Sequence, residues 1–132
     1  MNNYFRQYKK IYLSIAISWL LTGCEKNPFD YRTKYLGDYT YYVHETGGNG
    51  LVGLIDTSYT TNGSIAKGPG KGSIYFQLFE AAEKVELAVD KDGNLTGKYN
   101  GYFESSNTLN VVYSMYAPGG HFSQAVSGVK KR

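Results

Sequence analysis

Apolar and polar residues alternate along most of the chain after Tyr35, which is the two-residue period of a β-strand. The clearest case is the segment Lys84–Asp90, where Val85, Leu87 and Val89 alternate with polar or small residues. No stretch of this region sustains the 3.6-residue period of an amphipathic helix. The pattern therefore predicts an all-β domain.

Turn-forming residues divide this region into seven predicted strands, at residues 37–45, 51–60, 73–80, 84–90, 95–104, 108–116 and 121–130. Residues 47–50 are predicted to be a loop, Thr61–Gly72 a long Gly-rich connection, residues 80–83 one helical turn, and Lys91–Asn94 a hairpin turn with Gly93 at positive φ. The short spacing predicts a small antiparallel β-barrel or sandwich of about seven to eight strands in meander order. If a barrel closes, its first and last strands become neighbours.

The first residues have a different pattern, because a basic start precedes an apolar segment that only Ser14 and Ser18 interrupt. Arg6, Lys9 and Lys10 come before Ile11–Leu21, a run of eleven residues. A membrane-spanning helix needs about 20 residues, so this run is too short for one. A basic start, a short apolar segment and small residues after it are typical of a secretory signal peptide.

The end of the apolar run carries a resemblance to a known class of protein. Leu21-Thr22-Gly23-Cys24 resembles the lipobox of bacterial lipoproteins, in which a small residue precedes a cysteine. The resemblance implies cleavage before Cys24 and a diacylglycerol thioether on that cysteine, usually with acylation of the new amino terminus. The expected partner is therefore a membrane, to which several acyl chains would hold the protein.

Three segments follow from these observations. Residues 1–23 are predicted to be the lipoprotein signal peptide, residues 24–34 the lipidated cysteine with a flexible tether, and residues 35–132 a single β domain.

Charge and cysteine content exclude several classes of function. The chain has 14 Lys and Arg against 11 Asp and Glu, but three of the basic residues lie in the signal peptide. The remainder is formally neutral, which argues against a nucleic-acid partner, and Lys130-Lys131-Arg132 is interpreted as a solvated chain end. Cys24 is the only cysteine, so neither an internal disulfide nor a cysteine metal site can form.

The sequence gives only weak indications of a catalytic or metal site. His44, Glu45 and His121 would converge if the first and last strands pair, but nothing in their spacing predicts three metal ligands. The segment Asp90–Thr96 has alternating oxygen donors, yet it departs from the calcium-loop template and is interpreted as a hairpin turn. Lys67–Gly72 is not a phosphate-binding loop, because it lacks the Gly-Lys-Ser/Thr ending. No serine-nucleophile motif is present, so we expect neither an enzyme nor a cofactor.

Tyrosine is the unusual feature of the composition, with 14 in the chain. A tyrosine ring is apolar with a polar tip, which suits binding faces for sugars, peptides or lipid-like ligands, although strand propensity alone also favours tyrosine. The candidate binding residues are Tyr39, Tyr41, Tyr42, Tyr75 and Tyr102.

A second resemblance covers residues 35–130. A β-meander is indicated by four short segments, namely Leu95-Thr96-Gly97-Lys98, Asn107–Val111, Pro118-Gly119-Gly120 and Val126–Val129. This pattern resembles small envelope lipoproteins of Bacteroidetes, many of which have lipocalin-like or sandwich domains. It implies a fold class and an envelope setting, without an activity.

The leading hypothesis is a lipid-anchored, non-catalytic β-domain that binds a protein or glycan partner in the cell envelope. One alternative is a lipocalin-like carrier of a small apolar ligand, and another is a structural or assembly accessory of an envelope complex. The expected location is the outer membrane. The sequence leaves open the periplasmic or surface face, the oligomeric state and the identity of the ligand.

Overall fold

Eight β-strands and one short 3₁₀ helix make up most of the chain that our computed structural model describes, residues 30–51 and 53–132. The 3₁₀ helix, called the cap helix below, spans Tyr31–Tyr35. The strands are β1 (Gly37–Asn49), β2 (Gly53–Lys67), β3 (Ser73–Gln77), β4 (Val85–Val89), β5 (Asn94–Gly97), β6 (Asn100–Phe103), β7 (Thr108–Ala117) and β8 (Gly120–Lys130). The predicted signal peptide and Cys24 lie outside the described residues.

The strands form a closed antiparallel barrel in meander order, so each strand pairs with the next one along the chain. The barrel closes between β1 and β8, in a register that runs from Tyr39 opposite Lys130 to Asn49 opposite Gly120. The predicted all-β class and meander order are confirmed. Of the two predicted architectures, the barrel is the one that forms, and its first and last strands are neighbours.

The alternation of the sequence places one side of each strand in the barrel interior. Tyr39, Tyr41 and Val43 of β1 are fully buried, as predicted for one face of this strand. The other strands contribute further buried apolar side chains, namely Ile65, Ile74, Phe76, Leu87, Val89, Leu95, Phe103, Leu109, Val111 and Val126. Removing this surface from water is the main source of stability, at about 25 cal/mol for each Å² of apolar area.

A glycine makes room for the largest rings of this core. Gly128 of β8 lies opposite Tyr41 of β1, and a Cβ at Gly128 would lie 2.6 Å from the ring of Tyr41. Any larger residue would push the tyrosine out of place. Gly128 therefore allows a tyrosine to fill the barrel centre.

The cap helix closes one end of the barrel. Arg32 is buried and donates hydrogen bonds to the carbonyl oxygens of Gly70 and Ser73, the latter at 2.9 Å. Tyr35 stacks on Phe103 with ring centroids 3.9 Å apart. We call this the capped end. Within residues 30–51 and 53–132, no helix has the length and hydropathy needed to cross a membrane.

The folded unit begins at Tyr31, earlier than the predicted boundary at Tyr35. Residues 31–34 were predicted to belong to the tether because they are polar and lack apolar periodicity. In the structure Arg32 is buried and Tyr31 donates a hydrogen bond to the carbonyl oxygen of Val89 at 2.8 Å. Hydrogen bonds to the ends of strands hold this segment in place. Such contacts leave no periodic pattern of apolar residues in the sequence.

Four predicted boundaries were wrong in detail. The loop predicted at residues 47–50 belongs largely to β1, because β1 pairs along its whole length with residues 53–65 of β2. More than half of the predicted connection Thr61–Gly72 belongs to β2, whose last residues also pair with β3. The strand predicted at residues 95–104 is two strands, β5 and β6, joined by a tight turn. The helical turn predicted at residues 80–83 is an irregular turn, with one hydrogen bond from Ala82 N to the carbonyl oxygen of Phe79 at 2.8 Å.

Candidate binding site at the open end of the barrel

Strands of unequal length leave the other end of the barrel open. Pairing between β2 and β3 stops at Ser64, and pairing between β6 and β7 stops at Val112. Beyond these points β2, β1, β8 and β7 continue as a four-stranded sheet, which we call the extended sheet. We call this end of the barrel the open end. The face of the extended sheet that continues the barrel interior is its inner face.

A chain of four hydrogen-bonded side chains lies on the inner wall at the open end. The Glu45 carboxylate accepts hydrogen bonds on Oε1 from Tyr59 Oη at 2.8 Å and from Gln124 Nε2 at 2.7 Å. Tyr99 Oη donates to Gln124 Oε1 at 2.6 Å. We call these four residues the polar network. Glu45 thus gains two donors near the barrel interior, which offset the loss of water around its charge.

Strand register explains why these side chains meet. On β1 the inward residues Tyr39, Tyr41 and Val43 are followed two positions later by Glu45. On β8 the inward residue Val126 is preceded two positions earlier by Gln124, which lies directly opposite Glu45. Cross-strand partners share a face of the sheet, so the carboxylate and the amide meet on the inner wall.

Aromatic rings form a continuous row from the core to the open end. The centroid distances are 5.3 Å from Tyr41 to Phe76, 5.0 Å from Phe76 to Tyr99, 5.6 Å from Tyr99 to Tyr113 and 6.3 Å from Tyr113 to Phe122. At the rim, Lys98 Nζ lies 5.6 Å from the centre of the Tyr113 ring, a cation–π contact. The open end therefore offers apolar ring surface beside the polar network.

Clefts at this end include two that are lined by inward-facing residues. One, of about 200 Å³, is lined by residues that include Leu78, Lys98, Tyr99 and Gln124. The other, of about 180 Å³, is lined by Ile55, Met115, Phe122 and residues of the β1–β2 and β7–β8 hairpins. The first cleft opens onto the polar network, and the second is more apolar because Ile55, Met115 and Phe122 line it.

The hydroxyl groups of the polar network remain hydrogen-bond donors over a wide pH range. Burial raises the pKa of Tyr59 to about 12, and the neighbouring Glu45 carboxylate adds to this rise. Burial also raises the pKa of Tyr99 above its usual range, with a smaller effect from Tyr113. Both phenols are therefore neutral at physiological pH. Their O–H groups are engaged with Glu45 and Gln124, so each phenol oxygen can offer a ligand only its acceptor lone pairs.

The five tyrosines predicted to bind a ligand do not gather in one place. Tyr39 and Tyr41 lie in the barrel core with no exposed surface. Tyr42, Tyr75 and Tyr102 lie on the outside of β1, β3 and β6, where Tyr42 and Tyr102 are about half exposed. Among the described residues, the ring contact within this set is the one between Tyr39 and Tyr41.

The two histidines lie outside the barrel. His44 Nδ1 is within 2.8 Å of Ser58 Oγ, and its Nε2 lies 3.6 Å from Asp56 Oδ1. His121 is exposed and stacks on Tyr116. Glu45 points to the opposite side of β1, so the three residues do not converge. Within the described ranges, no three His, Cys, Asp or Glu side chains gather closely enough to hold a metal ion.

Tyr59 and Gln124 were not singled out from the sequence, although a signal was present for Gln124. Glu45 and Gln124 are polar residues at positions that continue an inward-facing alternation, and such positions indicate a site where a strand leaves the core. Tyr59 gave no such signal, because the residues around it are almost all polar.

Comparison of the chain with protein-family models, with curated proteins and with solved structures gave no significant match.

Proposed function

We propose that this protein is a lipid-anchored, non-catalytic binding domain of the bacterial cell envelope, which holds a glycan at the open end of its barrel. The observation that carries this proposal is the polar network, which combines a carboxylate, an amide and two phenols beside exposed ring surface. An eight-stranded barrel of this kind is compatible with a lipocalin-like fold.

The anchor is the lipidated Cys24 that the lipobox implies. The folded unit starts at Tyr31, so six residues separate it from Cys24. These residues reach about 20 Å when fully extended. A connection of this length would keep the domain close to the membrane.

The chemistry of the open end fits a sugar better than an apolar molecule. A sugar ring presents C–H groups on its faces, which pack on aromatic rings such as those of Tyr113 and Phe122. Its hydroxyl groups both donate and accept hydrogen bonds, which suits the Glu45 carboxylate and the Gln124 amide. Because the partners of the polar network hold these side chains, little rotamer entropy is lost when a ligand binds.

A carrier of a small apolar ligand is the second candidate, and the cleft beside Ile55, Met115 and Phe122 favours it. This cleft of about 180 Å³ and the cleft of about 200 Å³ beside the polar network are both below the range of about 300–1,000 Å³ that is usual for small-molecule pockets, so neither encloses a whole ligand. A carrier needs such an enclosure to keep an apolar molecule from water, whereas a bound glycan can stay partly exposed. In the capped half, side chains such as Phe76 and Leu87 fill the barrel interior. The glycan is therefore the preferred ligand.

The test is a binding screen of soluble residues 25–132 against bacterial and host glycans, with apolar small molecules in parallel. For any glycan that binds, we expect Tyr59→Phe and Gln124→Ala to weaken affinity about tenfold each, because each removes a hydrogen-bonding group. Tyr102→Phe, on the outer wall, is the matched control and should bind like wild type. Urea unfolding of each variant checks that the fold is retained.

Two results would argue against the proposal. If no glycan binds while an apolar molecule does, the carrier hypothesis replaces it. If Tyr59→Phe and Gln124→Ala bind a glycan as tightly as wild type, the ligand lies elsewhere.

A further inference from the structure

The longest strand of the barrel has an unpaired edge over most of its length. β2 has 15 residues, but β3 pairs only with its last four, Ser64–Lys67. At Gly63 the carbonyl oxygens of Gln77 and Leu78 pass so close that a Cβ would lie 2.0 Å from the Gln77 oxygen. From there towards the hairpin, residues 53–63 pair with β1 on one side. Among the described residues, no strand pairs with residues 53–63 on their other side.

Such an edge is a template for another strand. In an antiparallel strand alternate residues direct both their N–H and C=O groups to the same side, so this edge presents a row of free backbone donors and acceptors. Its eleven residues exceed the usual strand length of about five or six. Residues 53–58 are all exposed, including Leu54 at 96%.

Proteins usually protect long edges with lysine, proline or a bulge. Residues 53–63 contain none of these side chains, and Asp56 is their only charged residue. The other edge of the extended sheet, Tyr113–Ala117 of β7, is short and is followed directly by Pro118. Only the β2 edge is both long and unprotected.

We propose that this edge pairs with the same edge of a second copy of the chain, in an antiparallel arrangement about a two-fold axis at Ser58. In this register Thr57 lies opposite Tyr59 of the second copy, and Ile55 opposite its Thr61. β-Branched and aromatic residues are favourable cross-strand partners.

Charge and closure favour a second copy. Asp56 lies opposite Thr60 of the second copy, so no like charges face each other. The two Asp56 side chains are four residues from each other along the new strand pair, about 13 Å. The pairing is isologous, so it closes at two copies and does not propagate into a fibre.

The arrangement joins the two binding faces. Opposite residues in an antiparallel pair lie on the same face of the sheet, so the two inner faces become one continuous eight-stranded surface. The capped ends point in opposite directions, each about 30 Å from the axis along the strands. With anchors on both copies, the dimer would lie with its strands along the membrane surface.

The experiment uses residues 25–132, which contain the whole folded unit and no cysteine. Light scattering coupled to size exclusion should give twice the monomer mass. Ser58→Cys places two thiols at the axis, where opposite Cα atoms are about 4.5–5.5 Å apart and a disulfide fits. Thr60→Cys is the matched control in the same strand, and its two thiols would be about 13 Å apart.

Mild oxidation should link Ser58→Cys into a covalent dimer and leave Thr60→Cys unlinked. Ser58→Lys and Ser58→Asp should each be monomeric because like charges meet at the axis, and an equimolar mixture of the two should restore the dimer. A monomeric wild type would overturn the proposal. So would a dimer in which Thr60→Cys links as readily as Ser58→Cys, because the register would then be different.

Discussion

The rings of Tyr39 and Tyr41 stack in the barrel core, 5.8 Å apart and 4° from parallel, yet their hydroxyl groups have different surroundings. Tyr39 Oη donates a hydrogen bond to the carbonyl oxygen of Tyr35 at 2.7 Å. The hydroxyl of Tyr41 is buried and, among the described residues, has no hydrogen-bond partner. Burial accordingly raises the pKa of both tyrosines, to about 12 for Tyr39.

This difference predicts opposite effects of the same substitution. Tyr41→Phe removes a buried hydroxyl that lacks a partner, and we expect the free energy of unfolding to stay constant or to rise by about 1 kcal/mol. Tyr39→Phe leaves the Tyr35 carbonyl without its donor and should lower that free energy by about 1 kcal/mol. Urea unfolding measures both. Equal destabilisation by the two variants would show that Tyr41 has a partner.

Two glycines at hairpin turns form a second matched pair. Gly93 and Gly119 have φ values of 89° and 87°, a region that side chains disfavour. A Cβ at Gly93 would also meet Tyr35 Oη at 2.7 Å, whereas a Cβ at Gly119 has open space around it. We expect Gly119→Ala to cost about 1–2 kcal/mol and Gly93→Ala clearly more, because it also displaces the cap helix. Thermal unfolding that ranks the two variants the other way would contradict this account of the capped end.

Alkaline pH should weaken the fold through the buried phenols. The pKa of Tyr59 rises from 10.0 to about 12 on folding, so the folded state holds this proton more tightly than the unfolded state does. Its contribution to stability is complete below about pH 10 and is lost as the pH rises towards 12. Urea unfolding at several pH values should therefore show a smaller decline for Tyr59→Phe than for wild type. Identical declines would mean that Tyr59 is not held as a neutral donor to Glu45.

Membrane attachment should depend on one residue. Cys24→Ser removes the thiol that the lipobox resemblance assigns to the lipid, and we expect the protein to leave the membrane fraction. Protease treatment of intact cells that carry the wild-type protein then distinguishes the surface face, where it is digested, from the periplasmic face, where it is protected. If Cys24→Ser remains in the membrane fraction like wild type, the anchor is not on this cysteine.

Side-chain alternation made much of the fold predictable. Val85, Leu87 and Val89 point towards the barrel interior as their spacing predicts, and Gly93 has the positive φ that its place in a hairpin requires. The second half of β2 was not predicted, because the strand expected at residues 51–60 ends before residues 61–67, which were assigned to a Gly-rich connection. This stretch is a strand because β1 and β3 offer it partners, which is a property of the fold and not of the segment.

The site was less predictable because it depends on register. Glu45 and Gln124 are 79 positions apart in the chain and meet only because β1 pairs with β8. Tyrosine content favoured residues such as Tyr42, Tyr75 and Tyr102, which lie on the outer wall on three different strands. A slip of one residue in either closing strand would turn its polar side chain outward, so residue type alone could not identify the pair.

Amide chemical-shift mapping of labelled residues 25–132 with a bound glycan shows whether ligand binds at the open end. We expect the perturbed amides to cluster around Glu45, Tyr59 and Gln124, with those of the capped end, such as Ser73, unchanged. Perturbations confined to the outer wall around Tyr42, Tyr75 and Tyr102, or to the capped end, would contradict the account.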